Sequence, residues 1–131
     1  MRSDIKGREI LKADVVAHRV KLLEVAHALG DTSTADASAS VGLFFGPTVV
    51  GYRQFVDAVD LDLTRALLGG HEIAWTRPFE PDEPVVAAMT MTEHSERNGM
   101  EIAVFETRFT TPDGEPIQTQ RTTFIERAPK A

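Results

Sequence analysis

The period of the apolar positions changes midway along the chain and divides it into a helix-rich first part and a strand-rich second part. From Asp14 onward, Leu22, Val25, Ala26 and Leu29 recur at the i, i+3, i+4, i+7 spacing of one helical face, and Gly30 supplies a helix stop. The small, polar stretch 31–40 reads as a loop or a short irregular helix. An apolar approach from Val41 then reaches Gly46-Pro47-Thr48, where a proline suits the first turn of a helix. Between Thr48 and Val59 the residues Val49, Val50, Tyr52, Phe55, Val56, Ala58 and Val59 predict a helix apolar around most of its circumference, hence buried. Asp60 or Asp62 would cap a further short helix running to Leu68 and closed by Gly69-Gly70.

After Gly70 the period becomes two. His71 to Thr76 predicts a strand ended by Arg77-Pro78, and Val85, Ala87, Met89 and Met91 alternate with Val86, Ala88, Thr90 and Thr92. Asn98-Gly99 is a hairpin signal, Met100, Ile102 and Val104 face away from Ala103, Phe105 and Phe109, and Pro112-Asp113-Gly114-Glu115 marks the next turn. A last strand runs from Ile117 to Ile125. An antiparallel meander of about four long strands with one buried helix is an α+β layout, and the helix at 48–59 covers the sheet face that would otherwise be bare. With no internal repeat and no linker-like tract, residues 1–131 read as one domain.

Composition narrows the chemistry. A chain of 131 residues suffices for one buried core. Fourteen basic against twenty acidic residues, net −6, argue against a nucleic-acid surface, which would carry a basic stripe. The absence of cysteine excludes disulfides, thiolate metal sites and a cysteine nucleophile. The charges at Arg2, Asp4, Lys6, Arg8 and Glu9 leave no signal-peptide core, and no run approaches the roughly 18 apolar residues of a membrane span, so the cytoplasm is the expected location. His18, His27, His71 and His94 have no metal-ligand spacing, so no metal is expected.

Six segments, in order, carry a family resemblance. They are Lys6-Gly7-Arg8-Glu9, Val25-Ala26-His27-Ala28-Leu29-Gly30-Asp31, Gly46-Pro47-Thr48, Glu72 to Pro78, Asn98-Gly99-Met100 and Thr111 to Glu115. Together they resemble the MaoC-like hot-dog proteins, in particular the fatty-acid-type dehydratase N-terminal-domain-like subgroup. The resemblance implies a single hot-dog fold, an antiparallel sheet of about five strands wrapped around a central helix. It also implies acyl-coenzyme A or acyl-carrier-protein thioesters as ligands, no cofactor, and a homodimer or a heterodimer with another hot-dog subunit. Active members of the family add water reversibly across a trans-2-enoyl thioester. That chemistry needs a base on the water and a proton donor for the α-carbon within hydrogen-bond reach. A backbone N–H at the helix start polarises the thioester carbonyl, where the dipole favours developing negative charge.

In those members the acid/base pair is an Asp and a His in a motif like G-D-x-N-P-x-H. Here Gly30 and Asp31 match, Ser33 stands for the Asn, Thr34 for the Pro, and Asp36 falls where the His would be, so the dyad is degenerate. Asp31 is the candidate catalytic base, against a plainer reading as a helix-end turn residue. Asp36 is a second candidate, as the other half of a carboxylate pair with one raised pKa, against a reading as a solvated loop residue. Gly46, Pro47, Thr48 and Val49 form the candidate substrate-binding start, with the N–H of Thr48 or Val49 as oxyanion donor. Tyr52 and Phe55 are core or acyl-tunnel lining, and Arg77 either fixes a strand end or reaches a coenzyme A phosphate. Trp75 packs beneath the helix or at a sheet contact. The resulting expectation is an acyl-thioester-binding dehydratase or (R)-specific hydratase relative, in one arrangement the non-catalytic subunit of a heteromeric hydratase. Two alternatives stay open. One is a hot-dog thioesterase, for which Asp57 lies towards the wrong end of the helix; the other is a non-enzymatic ligand-binding hot-dog protein.

Overall fold

The computed structural model describes residues 1–30, 40 and 42–129. Five strands, β1 (Glu9–Ala17), β2 (Ala66–Trp75), β3 (Glu83–Arg97), β4 (Met100–Thr110) and β5 (Pro116–Arg127), form one sheet in the order β1-β3-β4-β5-β2. Every pairing is antiparallel. The long central strands follow directly from period-two patterning. Val85, Ala87, Met89 and Met91 of β3 are buried, and the residues between them are half-exposed. Asn98 and Gly99 take the positive φ angles (53° and 77°) of a two-residue hairpin turn and set Arg97 opposite Met100.

That register builds cross-strand rows on the covered face of the sheet. One row is Ala87, Phe109, Gln118 and Trp75, and the next is Met89, Thr107, Gln120 and Ile73. A third is Met91, Phe105, Thr122 and His71. Helix α1 (Arg19–Ala28) buries Leu22 and Ala26. Helix α2 (Tyr52–Val59) buries Phe55 and Val59, with the Phe55 ring edge-on to Phe105 at 5.2 Å and tilted against Phe124 at 5.4 Å. A second apolar cluster of Ala17, Phe79, Val85, Ala87, Phe109 and Ile117 takes in Leu43, Phe44 and Val49 from the chain ahead of α2.

The strand-rich second half and the five-stranded sheet agree with the sequence, except that β2 pairs with β5 and not, as a meander requires, with β3, while three helical expectations change. Asp14 to Ala17 belongs to β1, and α1 begins only at Arg19. Leu11, Ala13, Val15 and Ala17 carry the alternation of a half-covered edge strand, and pairing with β3 makes use of it. The expected helix from Asp60 or Asp62 to Leu68 is replaced by a turn, in which Asp62 Oδ1 accepts from the Thr64 N–H at 2.9 Å, and then by β2. β2 continues through Gly69-Gly70 with a register irregularity instead of stopping there. The helix expected over 48–59 is divided. Gly46–Thr48 forms a separate 3-10 turn, and Gly51, at φ 107°, takes a conformation that interrupts helical backbone and acts as the N-cap of α2. The remaining eight-residue helix is amphipathic, not apolar all round: Arg53 and Gln54 are exposed and Tyr52 is 55% exposed. Among the described residues no helix is long and apolar enough to cross a membrane.

Because Phe105 is completely buried between Phe55 and Phe124, Phe105→Ala should cost about 3–5 kcal/mol in denaturant unfolding. Tyr52→Ser, on the exposed side of α2, should stay within about 0.5 kcal/mol. Equal losses at the two positions would contradict this orientation of the helix.

Candidate functional site

The 3-10 turn Gly46–Thr48 is set onto the covered face of the sheet by one side chain. Gln120 of β5 is fully buried in the middle of its row. Its Oε1 accepts from the Gly46 N–H at 2.7 Å, and its Nε2 donates to the Phe44 carbonyl at 2.9 Å. One amide thus satisfies the backbone groups on both sides of Phe45. Neither an apolar residue nor a carboxylate offers a donor and an acceptor together. The same Nε2 donates to Gln118 Oε1 at 2.7 Å, which fixes which way the Gln120 amide faces.

The approach is close enough to require glycine. A Cβ at position 46 would collide with Thr107 Oγ1 and come within 3.1 Å of Gln120 Oε1. Pro47, also buried, brings no N–H that would need a partner. Beyond it the turn closes on itself: the Thr48 N–H donates to the Phe45 carbonyl at 3.0 Å and the Val49 N–H to the Gly46 carbonyl at 3.2 Å. The two N–H groups expected from sequence as oxyanion donors are therefore already engaged within the turn. Among the described residues two buried polar atoms under this segment have no hydrogen-bond partner, Thr107 Oγ1 and Gln118 Nε2.

The remaining sequence candidates are dispersed. Thr48 is exposed, and Val49 is half-buried against the cluster that contains Phe109. Tyr52 faces solvent, whereas Phe55 is 2% exposed in the core. Arg77 donates from Nη1 to Glu83 Oε1 at 2.9 Å and to the Pro78 carbonyl at 3.0 Å, with its other terminal nitrogen on Glu83 Oε2. The guanidinium holds the Glu83 carboxyl below its ordinary pKa, and this pairing ties the end of β2 to the start of β3. Trp75 is half-exposed and meets Phe79 edge-on at 6.2 Å. Asp31 and Asp36 lie outside the described residues.

Sequence reasoning missed the polar stripe Gln118, Gln120, Thr122 along β5. The signal was present: all three fall on one face at period two, on the strand positions the register pairs with Phe109, Thr107 and Phe105. His71 was also passed over. Its Nδ1 lies 3.0 Å from Thr122 Oγ1, and its ring tilts against Phe45 at a centroid distance of 5.1 Å. Burial lowers its pKa below the ordinary imidazole value.

Residues 5–120 match the family described as "FAS1-like, dehydratase domain region". No curated protein matches the sequence. Solved structures do. A chain of the C-terminally truncated HadBC (3R-hydroxyacyl-ACP dehydratase) complex from Mycobacterium tuberculosis is 19% identical, with a TM-score of 0.69 over 95% of this chain and 99% of that one. A MaoC-like dehydratase from Phytophthora capsici is 16% identical with a TM-score of 0.71; all of this chain is covered but only 52% of that one, so this chain spans about half its length. The ChsH1-ChsH2 complex from Mycobacterium tuberculosis gives 10% identity and a TM-score of 0.61 over 91% of this chain and 85% of that one. At such identities the likeness is one of fold alone.

The anchoring of the turn can be tested without a ligand. Gln120→Leu keeps most of the side-chain volume but strips the Gly46 N–H and the Phe44 carbonyl of their partner. At about 1–3 kcal/mol for each orphaned group, it should destabilise the protein by roughly 2–6 kcal/mol in urea unfolding. A loss under about 0.5 kcal/mol would mean that the turn does not depend on this amide.

Proposed function

Since the chain belongs to the FAS1-like dehydratase-domain family and has the MaoC-like hot-dog fold, we propose that it binds acyl-coenzyme A or acyl-carrier-protein thioesters at the Gly46–Thr48 turn. The observation that carries this reading is the fixing of that turn on the sheet by Gln120, within a chain matched to the family over residues 5–120. A backbone element held this firmly suits a site whose donors must not reorganise as charge develops on a carbonyl oxygen. A thioester oxygen at Thr48 or Val49 shares its donor with the turn in a three-centre bond, an arrangement common at helix ends. The acyl chain lies toward Val49, and Arg77 serves the strand end in preference to a phosphate because Glu83 already occupies it.

In this reading Asp31 is the remnant of a degenerate dyad, and Asp36, where the family's His would stand, leaves the chain short of an imidazole in that motif. The chain is then the thioester-binding, non-catalytic subunit of a cytoplasmic heteromeric hydratase, paired with a second hot-dog subunit. The exposed edge strand supports the pairing. Leu67, Leu68 and Trp75 of β2 are 49%, 56% and 38% exposed, and among the described residues β2 has one strand neighbour, β5. An edge with exposed apolar side chains invites aggregation unless another strand or subunit covers it. The HadBC and ChsH1-ChsH2 structures are both complexes by their descriptions, in keeping with this reading.

The test is titration of the purified chain with crotonyl-coenzyme A and longer enoyl-coenzyme A, alone and together with a co-purifying hot-dog subunit. Saturable binding is expected, with hydration only in the presence of the partner. Hydration by the chain alone that Asp31→Asn abolishes would make it a self-sufficient dehydratase. Release of free coenzyme A would make it a thioesterase, and no binding in either state would remove the thioester reading altogether.

A further inference from the structure

His71 lies on β2 in the row of Thr122, Phe105 and Met91, facing the covered side of the sheet. Its ring rests against Phe45, the residue immediately before the Gly46 turn and the one whose flanking backbone groups Gln120 holds. Three features of this position point the same way. Thr122 is fully buried, and its hydroxyl lies 3.0 Å from Nδ1, so the ring is anchored from below by a neutral group. The two side chains that touch it on this face, Thr122 and Phe45, carry no charge. The neighbouring charged residues, Glu72 and Arg121, form the adjacent cross-strand pair and so point to the opposite face. His71 is nonetheless exposed as a residue, so a ligand at the turn can reach its outer edge.

We propose that His71 is a thioester-binding residue: the Thr122 hydroxyl donates to Nδ1, and the neutral imidazole presents Nε2–H to the carbonyl oxygen of the acyl thioester. The inference rests on the reading of the turn as a thioester site and adds to it a donor that no turn carbonyl shares. The Thr48 and Val49 N–H groups are committed to turn carbonyls, whereas Nε2–H has no hydrogen bond among the described residues. A neutral imidazole can donate to a carbonyl without a charge that must be desolvated, and the tautomer is set by what the other nitrogen bonds. Burial, which lowers the pKa of His71, keeps the ring neutral at pH 7. The outward donor of a fixed imidazole also differs in kind from the family's motif histidine. It hydrogen-bonds the carbonyl and moves no proton.

The experiment uses the full chain and hexanoyl-coenzyme A labelled with 13C at the carbonyl. Calorimetry should give saturable binding that His71→Ala weakens about tenfold, the worth of one hydrogen bond, and that His71→Gln, which keeps an amide N–H near Nε2, partly restores. Infrared difference spectra at saturation should place the bound carbonyl stretch below its free value in the wild-type chain and return it towards that value in His71→Ala. Nitrogen-15 NMR of the ligand-free protein provides an arm that needs no variant, and a proton on Nε2 is expected. A proton fixed on Nδ1, or an unchanged carbonyl shift in His71→Ala at full occupancy, overturns the role of His71 while leaving the thioester site standing. Failure of the wild-type chain to bind the thioester at all overturns both.

Discussion

A single buried amide decides where the Gly46–Thr48 turn sits on the sheet. The segment from Gly42 to Gly51, ahead of α2, lies over the covered face of the sheet. Most of that face is apolar and offers a passing backbone nothing to bond with. A polar stripe of Gln118, Gln120 and Thr122 runs across it, and of these Gln120 uses both its donor and its acceptor on the segment above, at Phe44 and at Gly46. A buried backbone N–H or carbonyl left without a partner costs about 1–3 kcal/mol, a sizeable share of the roughly 5–15 kcal/mol that holds a domain folded. The position of the 3-10 turn is therefore specified by the sheet rather than by its own helical propensity. Glycine at 46 and proline at 47 follow from that: the first because Thr107 leaves no room for a Cβ, the second because no further donor can be served there.

The same contact organises the chemistry around it. By fixing Phe44 and Gly46 it leaves Phe45 projecting between them, and Phe45 is what the His71 ring packs against. Phe44 stacks on Phe109 at 5.5 Å, which joins the crossing chain to the cluster under β3 and β4. Phe55 does the equivalent for α2 at the other end of the sheet. The turn thus stands between two apolar clusters, with a polar stripe beneath it. That is the arrangement expected of a site that must hold one polar group of a largely apolar ligand. The edge strand β2 lies next to this stripe.

Much of the sheet was legible in the sequence, because strands β3, β4 and β5 alternate cleanly and their turns carry Asn98-Gly99 and Pro112-Asp113-Gly114. The strand β1 was masked by the helical spacing that begins a few residues later; Leu11, Ala13, Val15 and Ala17 alternate, but an edge strand covered on one side is easily absorbed into a neighbouring helix pattern. The Leu67-Leu68-Gly69-Gly70 run reads as a helix end because glycine usually stops helices, whereas here it lies within a strand with an irregular register. The length of the covering helix was overestimated for a related reason. Apolar residues at 49 and 50 serve the turn, and Gly51 separates them from α2. Within the site, Gly46-Pro47-Thr48 was visible as a motif. Its support was not, because Gln118, Gln120 and Thr122 acquire meaning only once the register places them beneath the turn.

The account stands or falls on the bond between Gly46 and Gln120, and amide hydrogen exchange reads it directly. If Gln120 anchors the turn, the Gly46 N–H exchanges as slowly as the central amides of β4 and β5, opening only with the sheet itself. Exchange of Gly46 at the rate of the exposed turn residues around it would show that the contact does not persist in solution, and would contradict the central role given to Gln120.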